Sequence, residues 1–408
     1  MTRRIDRATW VGLGLIAVAA VIYWLCDRGF DAHRGDFFYL ADAFLHGRVS
    51  LDHRLGPNDV IITPGGFFVP FAPFPAIALM PLVALLGPLR GDQLEPAINA
   101  ILAASSVGLC WWLMGRMQVA RLVDRFWICL LLGFSTQIIW VTTRGGVWHT
   151  GHLVATILTF LCLIELWGKQ RAWLIGLLAG AAFLTRAPVA FALPFYALLL
   201  DAPVRDLVPS ATVGGYVERM GRSMPWRRWV QLGLGFLPAL VFFFWYNVAR
   251  FGTPLESGYA LATLPPFLEL LREQGLFSPV HIGMNLDYLF LHLPAPIAEF
   301  PFFRPDGLGM SVFLTSPGLL FAIRADWRSA RAWLLLGAAV AVLIPTLLYY
   351  GGGWLQYGYR YFLDSIPFVI ALCGLAGAYR GGVGWGWRLL ILVGTVVMGF
   401  GVYWAYHL

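Results

Sequence analysis

Apolar residues run along this chain in blocks of about 15 to 20, each closed by Arg, Gly or Pro, the spacing that helices crossing a hydrocarbon core of about 30 Å require. Strands of a closed barrel would show shorter alternating segments instead. The pattern predicts an all-α polytopic membrane protein, with a first span at 8–26 and later ones near 95–115, 126–143, 148–168, 172–186, 187–200, 229–248, 309–323, 332–350, 364–379 and 387–405, a bundle of about eleven transmembrane helices. The first run lacks a small-residue cleavage site and ends in aromatic residues suited to an interface, so it reads as an uncleaved span rather than a signal peptide.

Charge then orients the bundle. Arg3, Arg4 and Arg7 precede the first span, which places the N-terminus in the cytoplasm and residues from Asp27 onward outside. The same rule makes every cytoplasmic connection basic: Arg116, Arg121 and Arg125; Lys169 and Arg171; Arg205, Arg219, Arg222, Arg227 and Arg228; Arg324, Arg328 and Arg331; Arg380 and Arg388. Residues 72–90 (APFPAIALMPLVALLGPLR) are apolar enough to cross, but a crossing there would invert all later loops. Its prolines also favour a re-entrant or surface-lying segment. The chain is expected to be one membrane domain over 1–408, with a first extracytoplasmic loop at 27–94 and a second at 250–308, in a cell membrane of multi-pass type.

Composition agrees, with 59% hydrophobic and 12% charged residues and a mean hydropathy of +0.70. The pI near 9.3 comes from basic residues between apolar runs, which is a topology signal and not a nucleic-acid surface. Cys26, Cys110, Cys129, Cys162 and Cys373 have no metal-like spacing and read as packing residues. No Walker A, GxGxxG after a strand, HExxH or GxSxG stretch occurs, and the longest cytoplasmic connection, 201–228, is too short for a domain, so cytoplasmic nucleotide sugars are not the expected substrates.

Acids gather on the outer side: Asp27, Asp31, Asp36, Asp42, Asp52, Asp59 and Asp92 in the first loop, and Glu256, Glu269, Glu273, Asp287 and Glu299 in the second. Ion-coupled carriers bury ionisable groups near mid-membrane. Here only Glu165 lies inside an expected span, near its cytoplasmic end, so any chemistry belongs to the external interface. GDFFYLADAFLHG, residues 35–47, predicts a short amphipathic helix lying flat at the headgroups, with Phe37, Phe38, Leu40, Ala41, Phe44 and Leu45 on its apolar surface. Asp36 stands at its N-terminal end, where an Asp N-cap is a sufficient explanation by itself. Three further stretches place Arg on the same side: LTRAPVAFALPFY with Arg186, YNVARFGTPLESGY with Arg250, and GGGWLQYGYRYFLDSIPF with Arg360 among Tyr357, Tyr359 and Tyr361. Each Arg alone could be a snorkelling anchor. In RGGVWHTGH, His149 and His152 stand three apart on one helical face; without a carboxylate at helical spacing they read as interfacial caps more readily than as metal ligands.

With the first-loop acid, the Y..LA.AFLHG helix that follows it, VPFAPFPAIALMPL, LTRAP and YGYRYFLD, the chain resembles, over nearly its full length, the GT-C superfamily of membrane glycosyltransferases, and within it the bacterial dolichyl-phosphate-mannose mannosyltransferase-like branch. The resemblance implies a GT-C type bundle with extracytoplasmic juxtamembrane helices. It also implies transfer of a sugar, with inversion, from a polyprenyl-phosphate lipid to an extracytoplasmic glycan, lipid or protein acceptor. The family's first-loop acid is the base, and the closest match to its D-E-x-x-Y pattern is Asp36 with Tyr39; Phe37 replaces the second acid, and Asp31 and Asp27 stay as alternatives. Arg360 and Arg186 would hold the lipid phosphate as bidentate guanidiniums, and Tyr39, Arg250, Tyr357, Tyr359, His149 and His152 would contact donor or acceptor. A phosphate leaving group needs no second carboxyl acid. No metal ligands are assigned, although some members of the superfamily use a divalent cation. The rival readings are a lipid-linked saccharide flippase and a non-catalytic lipid-binding relative.

Overall fold

The computed structural model describes residues 6–27, 35–55, 59–201, 212–222, 224–379 and 382–407. Among the described residues six helices are long and apolar enough to cross a bilayer: Arg7–Asp27, Glu95–Arg116, Val147–Leu166, Trp226–Phe251, Ala330–Leu348 and Trp385–Ala405. A seventh crossing is a broken one, Leu122–Phe134 followed by Ile138–Arg144 with a bend of 42°. Shorter apolar helices occupy Phe74–Leu86, Ala172–Phe183, Ala187–Leu200 and Ile366–Tyr379. The chain is therefore a predominantly helical, all-α membrane protein whose long elements mostly coincide with the apolar blocks, several of them too short to cross alone. At 309–323, where a span is expected, the chain forms only the short helix Val312–Thr315 and a 3-10 segment, Pro317–Arg324. Ser316 and Pro317 interrupt it there.

Small residues set the closest packing. A Cβ on Gly176 would collide with the Leu232 carbonyl, and one on Gly235 with that of Trp173, so the Ala172–Phe183 and Trp226–Phe251 helices pack backbone to backbone. Cys110, Cys129, Cys162 and Cys373 are buried free thiols, as packing residues should be.

The first loop departs from expectation. Gly35 holds the cap position of the Asp36–Leu45 helix, and Asp36 is its first helical residue, acting on the helix dipole rather than as N-cap. Phe37, Phe38, Leu40 and Ala41 are almost fully buried against protein. Phe37 meets Phe71 edge-on, Phe44 meets Tyr246, and the Phe74–Leu86 helix covers the rest, so the apolar face is spent on the bundle and not on headgroups. Phe74–Leu86 has 13 residues with Pro81 inside it, about 20 Å of helix against the 30 Å of a hydrocarbon core.

Breaks in the helices position the site. Gly145 and Gly146, at φ 54° and 84°, stop the Ile138–Arg144 helix and restart the chain as Val147–Leu166. Only residues without a Cβ enter such angles cheaply in succession. Arg186 sits in extended backbone between Ala172–Phe183 and a 3-10 turn begun by Ala187–Pro188. Gly353 and Gly358, at φ 95° and 88°, shape the loop that leads into the 3-10 turn Arg360–Asp364. In each case the polar residue follows or precedes a forced stop in the helix.

Candidate functional site

These breaks meet around one cavity of about 410 Å³, within the range of small-molecule sites. Its wall takes the first turn of Val147–Leu166, the turn 185–188 that follows Ala172–Phe183, the end of Ala330–Leu348, the 351–361 loop, the 259–277 segment and residues 70–72 of the first loop. It lies at the ends of these helices away from the basic connections 169–171 and 324–331.

Three arginines line it: Arg144, Arg186 and Arg360. The Arg186 Nε–H donates to both oxygens of Asp364 at 2.8 and 2.7 Å, and its Nη groups make no hydrogen bond among the described residues. Asp364 is buried and also accepts from His152 Nδ1 at 3.1 Å. A carboxylate on Nε fixes the plane of the guanidinium while leaving its outer edge for a ligand. Arg360 reaches the Trp354 carbonyl at 3.2 Å and His149 Nε2 at 3.4 Å through Nη1, while its buried Nε has no partner among the described residues. His149 Nδ1 lies 2.5 Å from the Gly145 carbonyl, which can only accept, so Nδ1 carries the hydrogen and Nε2 offers its lone pair to Arg360. The guanidinium carbons of Arg186 and Arg360 both stand 5.4 Å from the Tyr361 ring centroid, so one aromatic ring serves both cations.

The wall is also aromatic and hydroxylated: Tyr259, Tyr349, Tyr350 and Tyr361 all line the cavity. Tyr349 meets Tyr350 with ring centroids 4.6 Å apart, and both Tyr259 and Tyr361 edge-on. Burial pushes the Tyr259 phenol above its ordinary range, so it stays a protonated donor. The carboxylate in the wall is Asp59, whose Oδ2 accepts from Trp148 Nε1 at 3.0 Å. Fixed cations, phenol donors and a carboxylate around an otherwise apolar volume can bind an amphiphile with an anionic, hydroxyl-rich head.

Of the residues singled out in the sequence, Arg186, Arg360 and His149 line this cavity together. Asp36 is buried and does not line it, although Phe37 beside it does. Asp27 is buried at the end of the first helix, and Asp31 lies outside the described residues. His152 stands one layer behind the wall, against Asp364. Tyr39 packs edge-on against His53. Arg250 is enclosed by the Tyr246 and Phe251 rings and donates to the Val69 carbonyl, Asn247 and the Ser257 carbonyl, so it ties loop to helix. Tyr357 and Tyr359 point into the core: Tyr357 stacks on Trp140 and donates to the Val397 carbonyl at 2.8 Å, and Tyr359 donates to Asn285. The intervening loop turns, and the next aromatic, Tyr361, is the one that reaches the cavity.

Sequence reasoning missed Arg144, Asp59, Asp364 and Tyr259. Arg144 opens RGGVWHTGH, Asp364 closes YGYRYFLD and Tyr259 ends YNVARFGTPLESGY, so three of them lay within stretches already marked by their helix-breaking glycines. Among the described residues no three His, Cys, Asp or Glu side chains gather as a metal-holding group.

The fold and this cavity define a helical membrane protein with a cationic, aromatic pocket at one end of its bundle. The chain matches no family model, no curated protein and no solved structure.

Proposed function

We propose that the chain is an integral membrane glycosyltransferase of GT-C type, a bundle of about eleven crossings, that moves a sugar from a polyprenyl-phosphate carrier to an acceptor outside the cytoplasm, with inversion. The observation that carries the reading is the convergence of Arg186, Arg360 and Arg144 on one cavity whose other walls are tyrosines and apolar side chains. In this reading the basic connections face the cytoplasm, by the positive-inside rule, and the cavity end faces outside.

In this reading the guanidiniums of Arg360 and Arg186 hold the lipid phosphate and take up the charge that grows on it as the glycosidic bond breaks. An acceptor hydroxyl attacks the anomeric carbon from the opposite face, the carbon–phosphate oxygen bond breaks, and the hydroxyl proton passes to a carboxylate. The family pattern assigns that carboxylate to Asp36; contact with the cavity favours Asp59, with Asp36 behind Phe37. Tyr259, Tyr349, Tyr350 and Tyr361 offer the sugar hydroxyls donors and ring faces.

The test is transfer from a polyprenyl-phosphate sugar by purified protein carrying Asp36→Asn or Asp59→Asn. Loss with Asp59→Asn alone makes Asp59 the base, and loss with Asp36→Asn alone restores the family assignment. Full transfer by both variants removes the mechanism. A flippase would instead show lipid translocation in vesicles and no transfer by the unmodified protein.

A further inference from the structure

One surface feature has no part in the cavity. Residues 291–304 fold back on themselves as a small hairpin, with Ala295 and Pro296 paired antiparallel to Arg304 and Phe303. Its outer side is strongly apolar: Leu291 is 70% exposed, Leu293 67%, Phe300 66% and Phe302 64%. Phe302 holds φ 69°, a left-handed conformation that a bulky residue enters only at a cost. The hairpin base is firmly held, because His292 bridges Asp287 at 2.9 Å and Asp306 at 2.7 Å and its carbonyl accepts from Ser311 N–H at 2.8 Å. A loop held at its base that displays four large apolar side chains marks an interaction surface.

The helix beside it shows what that surface meets. Leu389, Leu392, Val393 and Val396 form an exposed apolar stripe on Trp385–Ala405, the face that this span turns to lipid. Phe400 continues the stripe, and the hairpin sits on it: Phe300 stands 5.9 Å and Phe303 5.5 Å from the Phe400 ring, and Phe303 6.4 Å from Trp404. Phe400 lies more than one turn inside the helix end, about 7 Å below Ala405 along the axis, while Tyr403, Trp404 and Tyr406 occupy the level of an aromatic belt. The hairpin tip therefore reaches below that belt. Glu299 and Arg304 are exposed beside the tip and long enough to reach headgroups. The Ala405 end is also the cavity end, since the Arg144 guanidinium donates to the Ala405 carbonyl at 2.9 Å.

We infer that the 291–304 hairpin is a membrane wedge: Phe300 and Phe302 insert among the acyl chains of the leaflet on the cavity side, continuing the lipid-facing stripe of Trp385–Ala405. The wedge holds the cavity end of the bundle at headgroup depth. A chain with no transferase activity would carry it equally.

Spin labels measure the depth. Full-length protein with Cys26→Ser, its other four cysteines being buried, receives Phe300→Cys, Phe302→Cys, Val396→Cys or Glu273→Cys, is labelled and is reconstituted in phosphatidylcholine vesicles. Val396 is the lipid reference and Glu273, exposed on the short helix Pro266–Glu273, the water reference. Insertion predicts that the ratio of collisions with oxygen to collisions with a nickel chelate at 300 and 302 falls within about twofold of that at 396 and well above that at 273. A ratio at both tip positions equal to that at 273 places the tip in water and overturns the inference. Poor access by both reagents would mean that a protein surface covers the hairpin, which overturns it too.

Discussion

Arg171, beside the basic connections, and Arg186 and Arg360, in the cavity wall, use their donors differently. At the end with the basic connections, Arg171 spends its backbone N–H and two side-chain donors on Glu165 at 2.9 to 3.0 Å, and Arg388 donates to the Val383 carbonyl beside Asp124. At the cavity end, Arg186 gives only Nε to Asp364, and Arg360 keeps a buried Nε without a partner among the described residues. A guanidinium saturated by protein acceptors is an anchor, whereas one oriented and left partly unfilled can receive an anion.

Substitutions can break this contrast, beginning with the largest effect. Asp364→Ala leaves the half-buried Arg186 guanidinium without its counter-charge, and a stability loss of about 3 kcal/mol is expected. It would be read as a lower thermal unfolding midpoint in detergent; an unchanged midpoint would mean that Asp364 does not hold Arg186. Arg360→Ala should weaken binding of a polyprenyl phosphate by about 10- to 100-fold, the weight of one or two hydrogen bonds to a charged group. Arg171→Ala should leave that affinity as it is, and equal weakening by both would erase the distinction between the ends. Tyr357→Phe should lower stability by about 1 kcal/mol through the lost bond to Val397 while leaving ligand affinity intact. Reduced affinity there would return Tyr357 to the site.

The smallest effect concerns pH. Burial alone would lower the His292 imidazole, but its hydrogen bonds to Asp306 and Asp287 outweigh burial and raise it above the ordinary value. A raised histidine favours folding while protonated, so its contribution is complete below about pH 6.5, the unfolded value, and fades as pH climbs through the folded one. Titration by NMR should show His292 retaining its proton above that pH, and His292→Gln should flatten the alkaline loss of hairpin rigidity. A free-histidine titration curve would show that the clamp does not hold in solution.

Much of the architecture was legible because lipid leaves few choices. Apolar blocks of sufficient length, separated by Arg, Gly and Pro, can only be helices and their ends, and the breaks at Gly145–Gly146 and at Arg186 were visible as such. LTRAP and YGYRYFLD led to Arg186 and Arg360, which do share a cavity. The tyrosines were harder to read. Tyr357, Tyr359 and Tyr361 alternate in one stretch with similar local surroundings, yet the first two are core residues and the third meets both guanidiniums. Asp36 and Asp59 are both first-loop acids in a polar context, and only packing puts one behind Phe37 and the other in the wall.

The sequence by itself determined that this chain is built of membrane helices, roughly where most of the long ones lie and which stretches carry unusual polar residues, because helix length and backbone satisfaction in hydrocarbon are local constraints. Only the tertiary structure decided which of those polar groups face one another. Asp364 lies 178 positions from Arg186 and His149 lies 211 from Arg360. Such partners are chosen by the packing of distant helices, and local pattern carries no record of that choice.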